Sequence, residues 1–500
     1  MIRTLLLALL ILAPPGAFAA DAPELPEQNL LMMKNDSPLI AFRILIKTGS
    51  AMDPKGKEGV ASLTASLLSD GSTKNNGIEK ILELLFPMAA TYTAQVDKEM
   101  TVFMGVTHKD YLMPYYALLR DAILSPAFKQ DDFDRIKKDQ LNNVTRTLRY
   151  NNDEELGKEV LSQAIYANHP CGHPENGLGG TVANLTLQDV KDFYAGQYTQ
   201  KNLWIGVAGD FTDELIRQIR KDFAALPEGR DAAFKLPAPE PIREMKAVLV
   251  EKETAATAIS FGFPIPFTRA DPDYYSMLIM NTWLGKHRNS FSHLYQVMRS
   301  ARGLNYGDYS YIEHFPLAGS RIQPPPNVGR RQQMFQVWIR PVQNPNRHFA
   351  LRQALREVRM LMDNGMTKAD FELSRNFVLN NTVNLALSNS EQLGYALDDR
   401  FYGLKEPFLE QVKTRLPALK LEDVNAAIKK YMTAQNLIVA AVTQDAAAFK
   451  TALVGNTPSP IRYDSEKPQA LLDEDKVIAA YPLGLKADSV SIVPVEKVFQ

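Results

Sequence analysis

The side chains best suited to bind a metal lie in one short segment of the chain. His169, Cys171 and His173 occur within a single HPCGH run, and imidazole and thiolate are ligands that zinc favours. Pro170 and Gly172 place these side chains in a loop, and three candidates in a loop do not by themselves form a tetrahedral site. We therefore expect a structural loop here, with metal binding by a self-associating protein as the alternative.

A second segment carries two strong hydrogen-bond donors at a fixed spacing. Arg299 and Tyr306 are seven residues apart in the run 298–306 (MRSARGLNY). A guanidinium and a phenol are donors that suit an oxyanion forming beside a metal. The pattern predicts that Arg299 ends a helix, that Gly303 supplies a left-handed cap, and that Tyr306 begins the next strand. A purely structural role is the alternative, because arginine is favourable near any helix C-terminus.

The remaining candidates for chemistry are isolated. His287 and His293 are six residues apart, which fits neither one helical face nor a zinc motif, so we expect both at the surface. The sequence contains no glycine-rich phosphate loop, no G-x-S-x-G elbow and no paired Cys–His nucleophile. These observations disfavour nucleotide-dependent enzymes and hydrolases with a side-chain nucleophile.

The elements that must position these residues belong to a globular chain. The 500 residues are 45% hydrophobic and 23% charged, which is sufficient for two or more domains with sizeable cores. Lys and Arg number 56 against 57 Asp and Glu, so the balance predicts no nucleic-acid partner. Because Cys171 is the only cysteine, no internal disulfide is possible.

The first twenty residues have the pattern of a cleavable signal peptide. Arg3 precedes a short apolar run, and residues 17–19 (AFA) match a cleavage site. The apolar run is too short to span a bilayer, so a membrane anchor is the less favoured alternative and no stable membrane insertion is expected. We predict export to a bacterial periplasm, with a soluble mature chain starting near residue 21.

The chain contains two copies of one module. Residues 185–190 (LTLQDV) reappear as 419–424 (LKLEDV), and 198–208 (YTQKNLWIGVA) are answered by 431–441 (YMTAQNLIVAA). Upstream, Asp132-Phe133 with LNN at 141–143 is answered by Asp370-Phe371 with LNN at 379–381. Three matches in the same order at nearly one offset, 233 to 238 residues, indicate a duplication.

Each copy mixes strands and helices without strict alternation, which predicts an α+β fold of two homologous sandwich domains. Strands are expected near 39–47, 203–208, 258–263 and 437–442, a strand pair within 92–106, and helices near 115–124 and 351–362. In each domain the helices would pack on one face of a mainly antiparallel sheet. The expected organisation is a signal peptide (1–20), a first domain (21–235), a Pro-rich linker (236–245), a second domain (246–455) and a tail (456–500), in which 490–495 could add a strand. A second proline run, 324–326, predicts a loop.

The duplicated arrangement resembles the insulinase/pitrilysin-type zinc metallopeptidases (inverzincins), particularly short bacterial two-domain subunits. The resemblance covers nearly the whole mature chain. It rests on residues 56–61 (GKEGVA), 169–172 (HPCG), 180–181 (GT) and 206–210 (GVAGD), and most specifically on 298–306, which is similar to the family's L-R-x-x-R-G-L-x-Y. The resemblance implies a half-clamshell of two domains. It also implies that an edge strand near 92–106 binds substrate in active subunits; the alternative, in a copy without zinc, is a strand with a structural role only.

The zinc motif of active members is missing. Their H-x-x-E-H places two imidazoles on one helical face, with a Glu that serves as base. The corresponding positions here are Ser62, Ala65 and Ser66, and neither serine hydroxyls nor a methyl group can replace those groups. The family's third ligand, a Glu, would fall near 141–143 (LNN), where the nearest acid is Asp139. We therefore predict that this chain binds no metal or other cofactor.

The resemblance further implies that Arg299 and Tyr306 correspond to a pair that reaches across to a zinc domain and helps to hold the substrate carbonyl. The prediction is an accessory subunit of a periplasmic heterodimeric peptidase, inactive alone. It would contribute Arg299 and Tyr306 in trans to a homologous partner that carries H-x-x-E-H and zinc and cleaves peptides. The alternative is an inactive binding or scaffold protein of the cell envelope.

Overall fold

The computed structural model describes residues 24–230, 235–316 and 322–500. The predicted signal peptide lies outside the described residues. Within them are two sheets, one formed between residues 30 and 209 and the other between residues 246 and 494. No helix of the described segments is both long and apolar enough to cross a membrane.

The first sheet has five strands in the order β1-β5-β2-β4-β3. They are β1 (Leu30–Lys34), β2 (Leu39–Ile46), β3 (Thr91–Val96), β4 (Thr101–His108) and β5 (Leu203–Gly209). Only β1 and β5 are parallel, and the other neighbours are antiparallel. The strand pair expected within 92–106 is therefore confirmed, and β3 forms the edge of the sheet.

The helices of the first half alternate in groups with these strands along the chain. They are α1 (Val60–Asp70), α2 (Ile78–Leu85), α3 (Leu112–Leu124), α4 (Gln130–Asn142), α5 (Asp153–Ile165), α6 (Gly179–Asn184), α7 (Leu187–Gln197) and α8 (Asp213–Phe223). The residues Asn143–Asn151 continue α4 as a π-helix. The apolar sides of α1, α3 and α7 pack on one face of the sheet and form a core with β2 and β5.

The second sheet repeats the order of the first and gains one strand. Its order is β11-β6-β10-β7-β9-β8, with β6 (Lys246–Glu251), β7 (Ala256–Ile265), β8 (Asp308–Tyr311), β9 (Gln333–Gln343), β10 (Ile438–Thr443) and β11 (Val490–Pro494). Without β11, the order is that of the first sheet position by position, as duplication requires. The tail strand expected at 490–495 is confirmed, and it pairs in parallel with β6.

The helices of the second half follow the same plan. They are α9 (Asp273–Gly285), α10 (Arg347–Asn364), α11 (Lys368–Asn381), α12 (Asn389–Tyr402), α13 (Phe408–Ala418), α14 (Leu421–Tyr431), α15 (Ala446–Val454) and α16 (Gln469–Ala479). A π-helical turn, Tyr295–Ser300, follows α9. The predicted α+β architecture is confirmed, as are the individual strands and helices expected from the repeats.

Each half lends one helix to the other half's sheet. α5 packs across β7, β9 and β10 of the second sheet, and α12 packs across β1, β2 and β5 of the first. The expectation of helices on one face only was therefore wrong. Seven of the eight residues of β2 are buried, because both faces of the strand are covered.

Candidate functional site

The degenerate zinc-motif positions lie on α1, where the family motif would place them. Gly59 precedes the helix with φ of 103°, and a Cβ there would lie 2.8 Å from the Asn176 carbonyl oxygen. The Asp53 carboxylate accepts hydrogen bonds from the Gly59 and Ala61 amides at 2.6 and 2.8 Å, and so caps the helix. The turn and helix that present the motif are thus intact, although its ligands are not.

Neutral side chains occupy the space between the first and third ligand positions. The Ser62 hydroxyl donates to Asn176 Oδ1 (2.8 Å), and Asn176 Nδ2 donates to Asn143 Oδ1 (3.0 Å). Gln140 Nε2 donates to the carbonyls of Gly59 and Asn176, both at 2.9 Å. These amides and hydroxyls satisfy one another, and their oxygens are weak ligands for zinc, which prefers thiolate, imidazole and carboxylate.

The position of the catalytic base is closed by packing. Ala65 is 0% exposed and belongs to the apolar core under the first sheet. Within residues 24–230, 235–316 and 322–500, no three His, Cys, Asp or Glu side chains are grouped so that they could hold a metal ion. The three motif positions themselves thus offer two hydroxyls and a methyl group, with neither an imidazole nor a carboxylate.

The HPCGH loop is fastened to its surroundings. His169 Nδ1 accepts a hydrogen bond from the Cys171 amide (3.0 Å), and its Nε2 donates to the Pro237 carbonyl (2.9 Å). The Cys171 thiol is buried, and burial raises its pKa to about 12. Both ring nitrogens of His169 are therefore hydrogen-bonded, and the bond to Pro237 connects this loop of the first domain to the Pro-rich linker.

Arg299 and Tyr306 form one unit at the surface of the second domain. Arg299 lies in the last turn of the π-helical segment, and Gly303 has a left-handed φ of 67°, as predicted. Arg299 Nη1 donates to the Tyr306 carbonyl at 2.9 Å. The guanidinium carbon lies 4.7 Å from the Tyr295 ring centroid and 5.9 Å from the Tyr306 ring centroid, so the cation stacks between two aromatic rings.

Tyr306 does not begin a strand, so that part of the prediction was wrong. The strand β8 starts at Asp308, and Gly307 between them has φ of 148°. The Asn305 amide fixes this turn: its Nδ2 donates to Asp308 Oδ1 and to the Arg340 carbonyl, and its Oδ1 accepts from the Gly307 amide. The Tyr306 side chain is left 73% exposed. Its hydroxyl makes no hydrogen bond with the described residues.

The C-terminal tail packs against the turn that carries Arg299 and Tyr306. Arg302 is buried, and its Nε and Nη2 donate to Asp475 Oδ1 and Glu474 Oε2, both at 2.8 Å. Both carboxylates lie on α16. Lys467, just before that helix, donates to the Ala301 carbonyl at 3.0 Å. Sequence reasoning missed this contact, because nothing in the spacing of the tail points to residue 302.

His287 is buried, contrary to the prediction that it lies at the surface. Its Nδ1 is hydrogen-bonded to the Tyr311 hydroxyl, and its ring packs with Tyr309, Phe315 and Trp338. His293 is partly buried, stacks on Trp283 and contacts Glu357 at 2.7 Å. Both histidines contribute to the packing of the second domain, a role that spacing alone could not reveal.

Two profiles of one family match successive parts of the chain. Residues 31–176 match the profile described as "Insulinase (Peptidase family M16)", and residues 184–378 match the one described as "Peptidase M16 inactive domain". The chain belongs to peptidase family M16. The resemblance inferred from the glycine turn and from residues 298–306 is confirmed.

Other M16 family members are similar over most of their length. The "Non-peptidase homolog YmxG" of Helicobacter pylori is 22% identical over 431 residues, 85% of this chain and 92% of the relative. The "Uncharacterized zinc protease YmxG" of Bacillus subtilis is 23% identical over 399 residues, 79% of this chain and 90% of the relative. These names differ in whether they credit the relative with zinc chemistry.

Solved structures share the fold. A peptidase M16 inactive domain from Pseudomonas fluorescens superposes with a TM-score of 0.72 at 22% identity, covering 83% of this chain and 95% of that one. A chain of Complex III2 from Candida albicans superposes with a TM-score of 0.64 at 14% identity, covering 83% and 93%. Together with the loss of the ligands at Ser62, Ala65 and Ser66, the comparisons identify an inactive peptidase-like member of the M16 family.

Proposed function

We propose that this protein is the accessory, non-zinc subunit of a periplasmic heterodimeric metallopeptidase that degrades peptides or unfolded polypeptides. The partner is a homologous subunit with H-x-x-E-H on its own α1-like helix. The two subunits, each a half-clamshell, face each other around a chamber. Arg299 and Tyr306 of this chain complete the partner's zinc site.

The observation that carries the proposal is the exposure of the Arg–Tyr pair. Tyr306 is 73% exposed, and its hydroxyl has no hydrogen-bond partner among the described residues, while the guanidinium of Arg299 is held by the Tyr306 carbonyl and by the Tyr295 ring. A tyrosine whose ring stays largely in water buries little apolar surface and therefore adds little to stability. A functional contact with something outside this chain would account for an aromatic donor at this position.

The chemistry follows from the two donors. In the partner, zinc would polarise a peptide carbonyl and activate water. The Tyr306 hydroxyl would donate to the oxygen of that carbonyl as negative charge develops on it. The Arg299 guanidinium would orient the peptide carbonyl, and its positive charge would favour the same oxyanion.

The alternative is an inactive binding or scaffold protein of the cell envelope. The loss of the ligand positions fits it equally well, and the similar fold of a Complex III2 chain supports it at the level of architecture. A scaffold, however, has no need for an exposed donor pair at the surface of its second domain.

Affinity purification of the tagged mature protein from its native periplasm tests the proposal. We expect a stoichiometric partner with H-x-x-E-H, about one zinc per pair, and peptidase activity in the eluate. The Arg299→Ala variant should retain the partner and nearly abolish cleavage. A chain that elutes alone, zinc-free and inert would refute the heterodimer and favour the scaffold.

A further inference from the structure

A small pocket between α9, α11, α12 and α13 has no role in the proposed peptidase site. Its volume is about 90 Å³, several times the ~10–15 Å³ that one water molecule needs on the same measure. Its lining is mixed. The apolar and aromatic residues used below, called the apolar wall, are Leu278, Leu385, Tyr395, Phe408 and Val412, and the charged residues are Arg269, Lys286 and Glu313. The Arg269 guanidinium carbon lies 4.5 Å from the Phe408 ring centroid, so this cation covers part of the wall.

The apolar wall is part of a packed core. Tyr395, Phe408 and Val412 are all buried, and they belong to the core of the second domain. Leu278 and Leu385 pack against that core from two other segments. A short branched chain of three or four carbons would remove its own surface and that of this wall from water, at about 25 cal/mol per Å².

Lys286 supplies a positive charge that has no close counter-ion. Its Nζ donates to the neutral Gln323 Oε1 at 3.0 Å, and it makes no ion pair within 4.0 Å with the described residues. Burial lowers its pKa to about 8, although the charge of Glu313 opposes that shift. The ammonium therefore still carries most of its charge at neutral pH, and an anion beside it would be stabilised.

The one acid that lines the pocket is already engaged. Glu313 accepts from Arg269 Nε (2.8 Å) and Nη2 (3.2 Å) and from the Tyr274 hydroxyl (2.7 Å). Arg269 is 8% exposed, and its Nη1 has no hydrogen-bond partner in the described part of the chain but lies 3.9 Å from the Asp398 carboxylate. Arg269 is therefore shared between the carboxylates of Glu313 and Asp398, whereas Lys286 has no carboxylate within 4.0 Å among the described residues.

We propose that this pocket binds a carboxylate that carries a short branched apolar chain, with the carboxylate at Lys286 and the chain against Tyr395, Phe408 and Val412. Isobutyrate is the smallest ligand of this class. A C-terminal valine of a peptide presents the same groups. The site is independent of the partner and of zinc.

The surroundings indicate how such a ligand would enter. A larger cleft of about 550 Å³ between the two halves shares Gln323, Pro324, Asn381 and Leu385 with the pocket. Because Lys286 is hydrogen-bonded to Gln323, its ammonium lies on the side of this shared border. The carboxylate would therefore stay near the cleft while the apolar chain points inward, an arrangement that leaves room for a preceding peptide residue.

Ligand-observed NMR titrations of the full mature chain test the proposal. The probes are isobutyrate and acetyl-Gly-Gly-Val, each compared at pH 7 with its own carboxamide. We expect at least one carboxylate to bind and its amide to bind about tenfold more weakly, the effect of about 1.4 kcal/mol of lost charge interaction. Binding of the small acid alone would identify a free metabolite-like acid, and binding of the peptide alone a peptide C-terminus.

Variants decide whether Lys286 and the wall are responsible. Lys286→Met should weaken carboxylate binding about tenfold, whereas Lys413→Met, at an exposed lysine on α13, should not. Leu385→Phe should fill the pocket with a larger side chain and leave the Lys286 amine in place. This second variant keeps the test possible if Lys286→Met does not fold. Equal binding of acid and amide, unchanged binding by both pocket variants, or no binding of either carboxylate would overturn the proposal.

Discussion

At the scale of single residues, Tyr306 differs from the tyrosines that build the cores. Tyr115, Tyr198 and Tyr274 are almost fully buried, whereas the Tyr306 ring is largely in solvent. In a reconstituted heterodimer, Tyr306→Phe should lower turnover about 10²–10³-fold, because it removes one oxyanion donor. Its melting temperature should match that of the wild type, since the hydroxyl has no hydrogen bond to lose.

Steady-state peptide cleavage and thermal melting check this prediction. Tyr111→Phe is the matched control, because Tyr111 is also exposed but lies in the first domain. Full activity of the Tyr306→Phe complex would remove Tyr306 from the site. That result would not bear on whether a partner subunit exists, which the affinity purification tests separately.

Ala65 shows why the lost zinc site cannot be restored one residue at a time. Its methyl group is fully buried in the core, so Ala65→Glu places a carboxyl where no partner is available. We expect a loss of several kcal/mol in the free energy of unfolding and a clearly lower melting temperature. Ser66→Glu, one residue later and only partly buried, is the control and should cost much less. Equal melting temperatures for the two variants would contradict this account of the packing.

The residues of the site could be predicted only where a motif marks them. Ser62, Ala65 and Ser66 follow a recognisable glycine turn, and Arg299 and Tyr306 share a known spacing. The amides of Asn143 and Asn176 that fill the old ligand space could not be placed, because their contact depends on how α4 and a distant loop meet. For the same reason, the buried environment of His287 is a property of the fold and not of its neighbours in sequence.

At the scale of elements, α16 is the support of the Arg299–Tyr306 turn. Asp475 and Glu474 both neutralise the buried Arg302 guanidinium, three residues after Arg299. The double variant Glu474→Gln, Asp475→Asn leaves that cation without counter-charge, which typically costs about 3–5 kcal/mol. We expect faster backbone amide exchange in residues 299–307 and a lower melting temperature.

Hydrogen exchange followed by mass spectrometry checks this expectation. The matched control is Asp473→Asn on the same helix, because the partners of Asp473 among the described residues are the exposed Lys476 and Gln469. If exchange in residues 299–307 is equal in the double variant and in the control, α16 does not hold the turn.

The elements themselves were largely predictable, since the repeats report each strand and helix twice. Two features were not. The strand β8 starts at Asp308 and not at the predicted Tyr306, because the hydrogen bonds of the Asn305 side chain form a local turn that competes with the strand. The packing of α5 on the second sheet and of α12 on the first could not be predicted from the sequence. The near-continuous apolar run of β2 is nevertheless typical of a strand that is covered on both faces.

At the scale of the whole molecule, ionisable groups lie buried where the two halves meet. Glu159 on α5 lines a cavity of about 190 Å³ together with Glu175, His314 and Arg330. Burial, with the nearby charge of Glu175, raises the pKa of Glu159 from 4.5 to about 8, against the opposing charges of Lys98 and Arg330. The unfolded chain releases this proton near pH 4.5 and the folded protein near pH 8, so Glu159 lowers stability progressively between those values.

Glu159→Gln should therefore raise the melting temperature at pH 8 and leave it almost unchanged at pH 4, where the carboxyl is protonated in both states. Melting curves across this pH range provide the measurement, with the solvent-exposed Glu79→Gln on α2 as control. A gain of the same size at both pH values would show that the effect does not come from ionisation of Glu159.

The reciprocal packing of α5 and α12 makes the two halves one folding unit despite the linker between them. Arg43 of the first sheet donates to the Ser390 carbonyl in the first turn of α12 (2.8 Å), and Arg330 of the second half binds Asp97 of the first (2.6 Å). A protease site inserted between the exposed Glu240 and Pro241 allows the chain to be cut after folding. We expect the two fragments to co-elute in size-exclusion chromatography, with a melting curve like that of the uncut insertion variant. Separation in native buffer would mean that the interface is weak enough for the halves to move independently, as domains joined by small polar interfaces commonly do. The Arg299–Tyr306 turn would then not be held in a fixed position relative to the first domain.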